Sequence, residues 1–105
     1  MKVMISQPMK GLSVEQVKAN RKAVVEMLEA KGHEVVDTVV AETPPETEHQ
    51  ALWYLGKSLE LMAQCDACVF MKGWDAARGC RIEHAAALDY GVEAWMENDM
   101  PETNR

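Results

Sequence analysis

The chain has 105 residues, 48% of them hydrophobic and 27% charged, with a formal net charge of −6. That length predicts one domain around one core, and the composition excludes a disordered chain. The acidic balance, with no basic run against phosphate repulsion, excludes general binding to nucleic-acid polymers, and no apolar segment approaches the ~18–20 residues of a membrane span.

Residues 2–6 read as a first strand. The chain enters that pattern directly, without the layout of a signal peptide, so the expected location is the cytoplasm. Residues 7–11 form the turn that follows. Ser13 with Gln16 three positions on predicts a capping box. Val14, Val17, Val24, Val25 and Leu28 then recur at helical spacing, with Arg21 and Lys22 expected to face out, and Gly32 ends the helix. Residues 33–37, with an extension to Val40, give a second strand. Residues 41–48 are acidic and interrupted by Pro44 and Pro45; they read either as a solvated connection or as a flap over a site.

Leu52, Leu55, Leu59 and Met62 mark a second amphipathic helix ending near Gln64. Residues 67–71 have the continuous apolar character of a central parallel strand. After a turn containing Gly73, the pattern Ile82, Ala85, Ala86, Tyr90 predicts a third helix, which Gly91 stops. Residues 92–96 alternate as an edge strand does. Residues 98–105 are polar and aperiodic and read as a loose tail, leaving a domain over 1–97. This βαβαβαβ order predicts an α/β, three-layer fold: a four- to five-stranded parallel sheet with helices on both faces, flavodoxin- or Rossmann-like.

Three cysteines make no disulfide framework. Cys65 and Cys68 form a C-x-x-C where a helix ends and a strand begins, the reverse of a redox pair's placement, and Cys68 is expected to point into the sheet. Cys80 and His84 stand four apart, but two ligands are not a site, so no metal and no cofactor is expected.

In a parallel sheet the turns after the first and third strands meet in one crevice, where open α/β sheets bind ligands. The second of these turns delivers Glu83, expected in the first turn of the third helix, where unpaired N–H groups favour an ionised carboxylate able to act as nucleophile or general base. The first turn supplies Gln7, Pro8, Met9, Lys10 and Gly11, directly after Ser6 at the strand end. Its backbone N–H groups and the Lys10 ammonium read as a phosphate cradle, although Lys10 also reads as a plain surface lysine. Arg78 and Arg81 beside Glu83 read as donors to phosphate or sugar hydroxyls, or as helix-surface charge. Trp74 reads as a stacking surface for a planar base, or as ordinary packing.

Three separated motifs carry a resemblance. These are Ile5-Ser6-Gln7-Pro8-Met9-Lys10-Gly11, Leu52-Trp53-Tyr54-Leu55-Gly56-Lys57-Ser58-Leu59, and Gly73-Trp74 through Arg78-Gly79-Cys80-Arg81-Ile82-Glu83-His84. Together they resemble the small nucleoside 2-deoxyribosyltransferase-like proteins of bacteria and phages, a group of unknown function, over roughly residues 1–96. The likeness to the characterised deoxyribosyltransferases and nucleoside-monophosphate N-glycosidases is looser. It rests on the fold pattern, the first turn and the Gly79–Glu83 spacing.

The resemblance implies that Glu83 attacks C1′ of a nucleoside or its 5′-monophosphate, that the base leaves, and that water or a second base collects the sugar. It also implies a phosphate-side role for Ser6. Asp75 is the nearest acid for the leaving base. The transferases carry an acid two positions before the glycine of that motif, where this chain has Ala77. The alternative is a non-catalytic protein that binds or sequesters a nucleotide. Family members are dimers or larger. The consecutive Trp53, Tyr54 and Leu55, which sweep ~200° of a helix, add an expectation of a homodimer or larger homo-oligomer.

Overall fold

The structure, a computed structural model, describes residues 1–36 and 45–102. In chain order the elements are β1 (Lys2–Ser6), α1 (Val14–Ala30), β2 (Glu34–Val35), α2 (Gln50–Met62), β3 (Ala67–Phe70), α3 (Arg78–Tyr90) and β4 (Glu93–Met96). Single 3₁₀ turns cover Trp74–Ala76 and Glu97–Asp99. The strands form one parallel sheet in the order β2-β1-β3-β4, with Ser6 opposite Phe70 across the central pair and Phe70 opposite Met96. β4 lies at the edge, as its alternating pattern predicts.

Side chains alternate across a strand, so each strand contributes to two cores. Val3, Ile5, Ala67, Val69 and Trp95 face Val24 and Leu28 of α1. Met4, Cys68 and Phe70 face the other way, towards Met62 of α2 and Ala87 of α3. The helices therefore cover both faces, α1 alone on one and α2 with α3 on the other. This follows from right-handed crossovers. The chain moves outward from β1 to β2, then back past β1 to β3 and on to β4. The direction reverses between β1 and β3, which makes the carboxyl ends of those two strands the switch point of the sheet.

The capping box at α1 is present: the Ser13 hydroxyl accepts from the Gln16 N–H at 3.1 Å, and the Gln16 side chain accepts from the Ser13 N–H at 2.9 Å. Helix faces differ from expectation. The inner face of α1 runs Val17, Arg21, Val24, Leu28, so Arg21 is buried at 5% exposed while Val14 is exposed. On α3 the inner face runs Cys80, Glu83, Ala87, and the apolar Ile82 and Tyr90 lie outside at 43% and 86% exposed. Leu52 of α2 is also exposed. A small domain leaves several large apolar side chains on its surface, and these shift the apparent phase of a short helix.

The second strand is shorter than predicted, ending at Val35, and residues 37–44 (the extension to Val40 and the first half of the loop read as a connection or flap) lie outside the described residues. The tail from Asn98 is not loose at its start. Met100 is 6% exposed in the core with Val24 and Trp95, and the Pro101 carbonyl lies 2.7 Å from His33 Nε2. Polarity hid one apolar anchor. Truncating Met100→Ala is expected to cost about 2–5 kcal/mol, as for other buried methionines. Urea melts check this, and an unchanged midpoint would restore the loose-tail reading.

Candidate active site

Glu83 sits at the switch point. Arg78 is the first residue of α3, so Glu83 falls in the second helical turn rather than the first, and no acidic residue occupies the first. The helix N-terminus is therefore not what surrounds the carboxylate. Glu83 lies on the inner face of α3 between Cys80 and Ala87 and is 7% exposed. The Ser6 hydroxyl, at the end of β1, donates to Glu83 Oε1 at 2.7 Å. Ser58 of α2, itself buried, stands close enough to the carboxylate to favour its ionised form. Three elements thus converge on one acid, and among the described residues its partners are neutral hydroxyls.

Burial pushes the Glu83 carboxyl above the usual carboxylate range, and the hydrogen bonds from Ser6 and Ser58 pull it back down. This reverses the expected sign, because the carboxylate is desolvated rather than stabilised by a helix terminus. The two other titratable groups beside it are thiols. Burial raises Cys80, with Ser6 hydrogen bonding opposing and Glu83 adding to the rise. Burial raises Cys68 far above the ordinary thiol range, and Glu83 raises it further. Both stay neutral near pH 7. Cys68 is fully buried in the sheet, while the Cys65 thiol donates to the Leu61 carbonyl at 3.3 Å.

The turn after β3 is built around Gly73, whose φ of +92° is open to glycine and costly for other residues. An added side chain there would also meet Pro8 Cγ at 3.5 Å, so the turns after β1 and β3 touch as the switch-point argument requires. Trp74 is half-buried in an aromatic group. Its ring stacks on His84 at 4.3 Å between centroids and tilts against Phe70 at 5.5 Å, and Phe70 meets His84 edge-on at 4.9 Å. One indole face is thus already covered. An open cleft of about 410 Å³ lies at the carboxyl ends of β3 and β4, lined by Phe70, Lys72, Trp74, Asp75, Met96 and Glu97 among others. Glu83 is not in its lining. Phe70 of the cleft lining stands opposite Ser6, the donor to Glu83, in register.

The other predicted residues divide clearly. Gln7 is buried, and its amide Nε2 donates to the Val17 carbonyl at 3.1 Å, which ties the first turn to α1. Pro8 and Gly79 are half-buried, while Met9, Lys10 and Gly11 are exposed on the first turn, where Gly11 has a φ of +80°. Asp75 and Arg78 are exposed. Arg81 is exposed and reaches back to the Asp75 carbonyl at 3.4 Å. Sequence reasoning missed Ser58 and the Phe70–His84 contact. The available signal was Ser58 itself, a hydroxyl four residues before the buried Met62 on the inner face of α2.

Among curated proteins, none matches the chain. Among solved structures, the fold is similar to a 2-deoxyribosyltransferase from the psychrotolerant bacterium Bacillus psychrosaccharolyticus, described as a biocatalyst for the synthesis of antiviral and antitumoral nucleosides. The TM-score is 0.65 at 20% identity, over 91% of this chain and 71% of that one. At that identity the likeness shows a shared fold. The sequence profile of a domain of unknown function, DUF4406, matches residues 1–95, and the chain belongs to that family.

Proposed function

We propose that this protein cleaves or transfers the N-glycosidic bond of a nucleoside, a deoxynucleoside or a 5′-monophosphate, with Glu83 as nucleophile. The observation that carries this reading is a nearly buried carboxylate at the β1/β3 switch point, held by the Ser6 hydroxyl at 2.7 Å. A desolvated anion exchanges weak hydration for a reactive partner more readily than a solvated one. The fold shared with a deoxyribosyltransferase supports the same class of chemistry.

In the proposed reaction a Glu83 oxygen attacks C1′ while the C–N bond breaks. The bonding pair leaves with the base, and Asp75, exposed at the mouth of the cleft, supplies the proton the base needs. Water then hydrolyses the glycosyl ester, or a second base displaces it, which regenerates the carboxylate. A second reading, nucleotide retention without turnover, draws on Ala77, where the transferases place an acid.

A panel of nucleosides, deoxynucleosides and their monophosphates, assayed by chromatography for released base, tests the proposal. Release from any member supports it. Binding without release selects the second reading, and neither binding nor release rejects both.

If the first turn holds a phosphate, Lys10 is its charged contact. Removing a charge-assisted hydrogen bond costs about 1.5–3 kcal/mol, so Lys10→Ala is expected to raise the monophosphate KM by roughly ten-fold or more and leave nucleosides nearly unchanged. Equal changes for both substrates would remove Lys10 from the phosphate site.

A further inference from the structure

We propose that Ser6 is a positioning residue for Glu83, assisted by Ser58, and does not contact the substrate. The inference rests on reading Glu83 as the nucleophile. Ser6 is 2% exposed and ends β1 on the same sheet face as Met4, the face that α2 and α3 cover. Its side chain therefore points into the protein, away from a phosphate arriving over the first turn. Its backbone is fixed by the sheet: Ser6 pairs with Phe70, and its carbonyl accepts from the Met71 N–H at 2.9 Å. The hydroxyl is thus a donor on a rigid strand, aimed at an acid carried by a helix.

A glutamate has three side-chain torsions, and an attacking oxygen must be held in one of their combinations. The Ser6 donor from β1 occupies one of the roughly four lone-pair sites of the carboxylate, Ser58 of α2 favours its ionised form from a second side, and other sites remain for C1′. The same two hydroxyls oppose the desolvation of Glu83 and so keep the acid ionised nearer neutral pH. Among the described residues, the other titratable groups that interact with Glu83, Cys68 from β3 and Cys80 from α3, are neutral thiols and supply no counter-charge. Without Ser6, the carboxylate would lose its closest donor and hold its proton to higher pH.

Carboxyl carbon NMR of Glu83 in the unliganded protein, with the resonance assigned through Glu83→Gln, tests this without any need for turnover. Ser6→Ala is expected to move the Glu83 titration upward, and Ser58→Ala to move it the same way by less. Ser6→Thr, which keeps the hydroxyl, should restore it. In turnover assays near pH 6, Ser6→Ala should lower kcat about 10- to 100-fold with KM within about two-fold. An unchanged Glu83 titration in both alanine variants would overturn the proposal, as would a KM increase at constant kcat. A shifted titration in a protein that releases no base would leave the positioning intact and reject the catalytic reading alone.

Discussion

Glu83→Gln is expected to lower base release by roughly 10³-fold or more while leaving ligand binding intact, because a neutral amide of nearly the same shape cannot attack C1′. The same substitution is expected to raise stability at pH 7.5. Burial places the folded-state pKa of Glu83 above its unfolded value. Such a group contributes stability that is fully present below the unfolded pKa and is lost as pH rises through the folded pKa. At pH 7.5 the wild type carries a desolvated charge that the glutamine variant lacks. Below about pH 4 both side chains are neutral and the difference should vanish.

Thermal melts at the two pH values read this directly, each kcal/mol being worth about 4–8 °C for a domain near this size. Wild-type turnover in the variant would end the nucleophile assignment. A variant less stable than wild type at pH 7.5 would show instead that the two serine hydrogen bonds outweigh the desolvation. Activity of the wild type should rise with pH along an acid limb centred above the usual carboxylate range.

The second large effect is expected at Phe70, which is 1% exposed. Its ring fills the core beneath α2 and α3 and meets both Trp74 and His84. Phe70→Ala removes a buried aromatic at a cost of about 3–5 kcal/mol. That is a large part of the roughly 5–15 kcal/mol that holds a domain of this size together. A fall in Tm of more than about 12 °C is expected. Trp74 should also lose its ordered stack, visible as loss of its near-ultraviolet circular dichroism. Phe70→Leu, which keeps most of the volume, should recover much of the stability but not the stack. A Tm within a few degrees of wild type for Phe70→Ala would mean that the aromatic group is not packed as described.

Architecture was readable because strands and turns leave local marks. Residues 67–71 are apolar without a break because a central parallel strand is covered on both faces. Ser13 and Gln16 announce the start of α1 because capping needs those side chains at that spacing. Gly73 and Gly91 mark conformations that few other residues tolerate, with φ of +92° and +76°.

Helix orientation was much less readable. On α3 the inward stripe is Cys80, Glu83, Ala87, a thiol, an acid and a methyl, while Ile82 and Tyr90 look outward. Hydrophobicity alone gives the wrong phase when a thiol and an acid occupy the inner face. Glu83 was recognised as a candidate, but the reason first attached to it, a helix N-terminus, does not apply. Ser6 was read as a ligand contact because its place before the first turn was visible, whereas its hydrogen bond to Glu83 was not. Ser58 comes from α2, far along the chain, and only packing brings it to the acid.

The hydrogen bond between Ser6 and Glu83 joins residues 77 positions apart. Closing a loop of that size carries a substantial entropic cost before any contact can reward it. No hairpin or isolated helix–strand pair contains both ends. The Glu83 carboxylate therefore acquires its donor only when β1, β3 and α3 are docked together. A nascent or partly opened chain holds Glu83 as an ordinary solvated acid. The buried, serine-held state of Glu83 is a property of the completed sheet, and any opening that separates α3 from β1 returns the carboxylate to water.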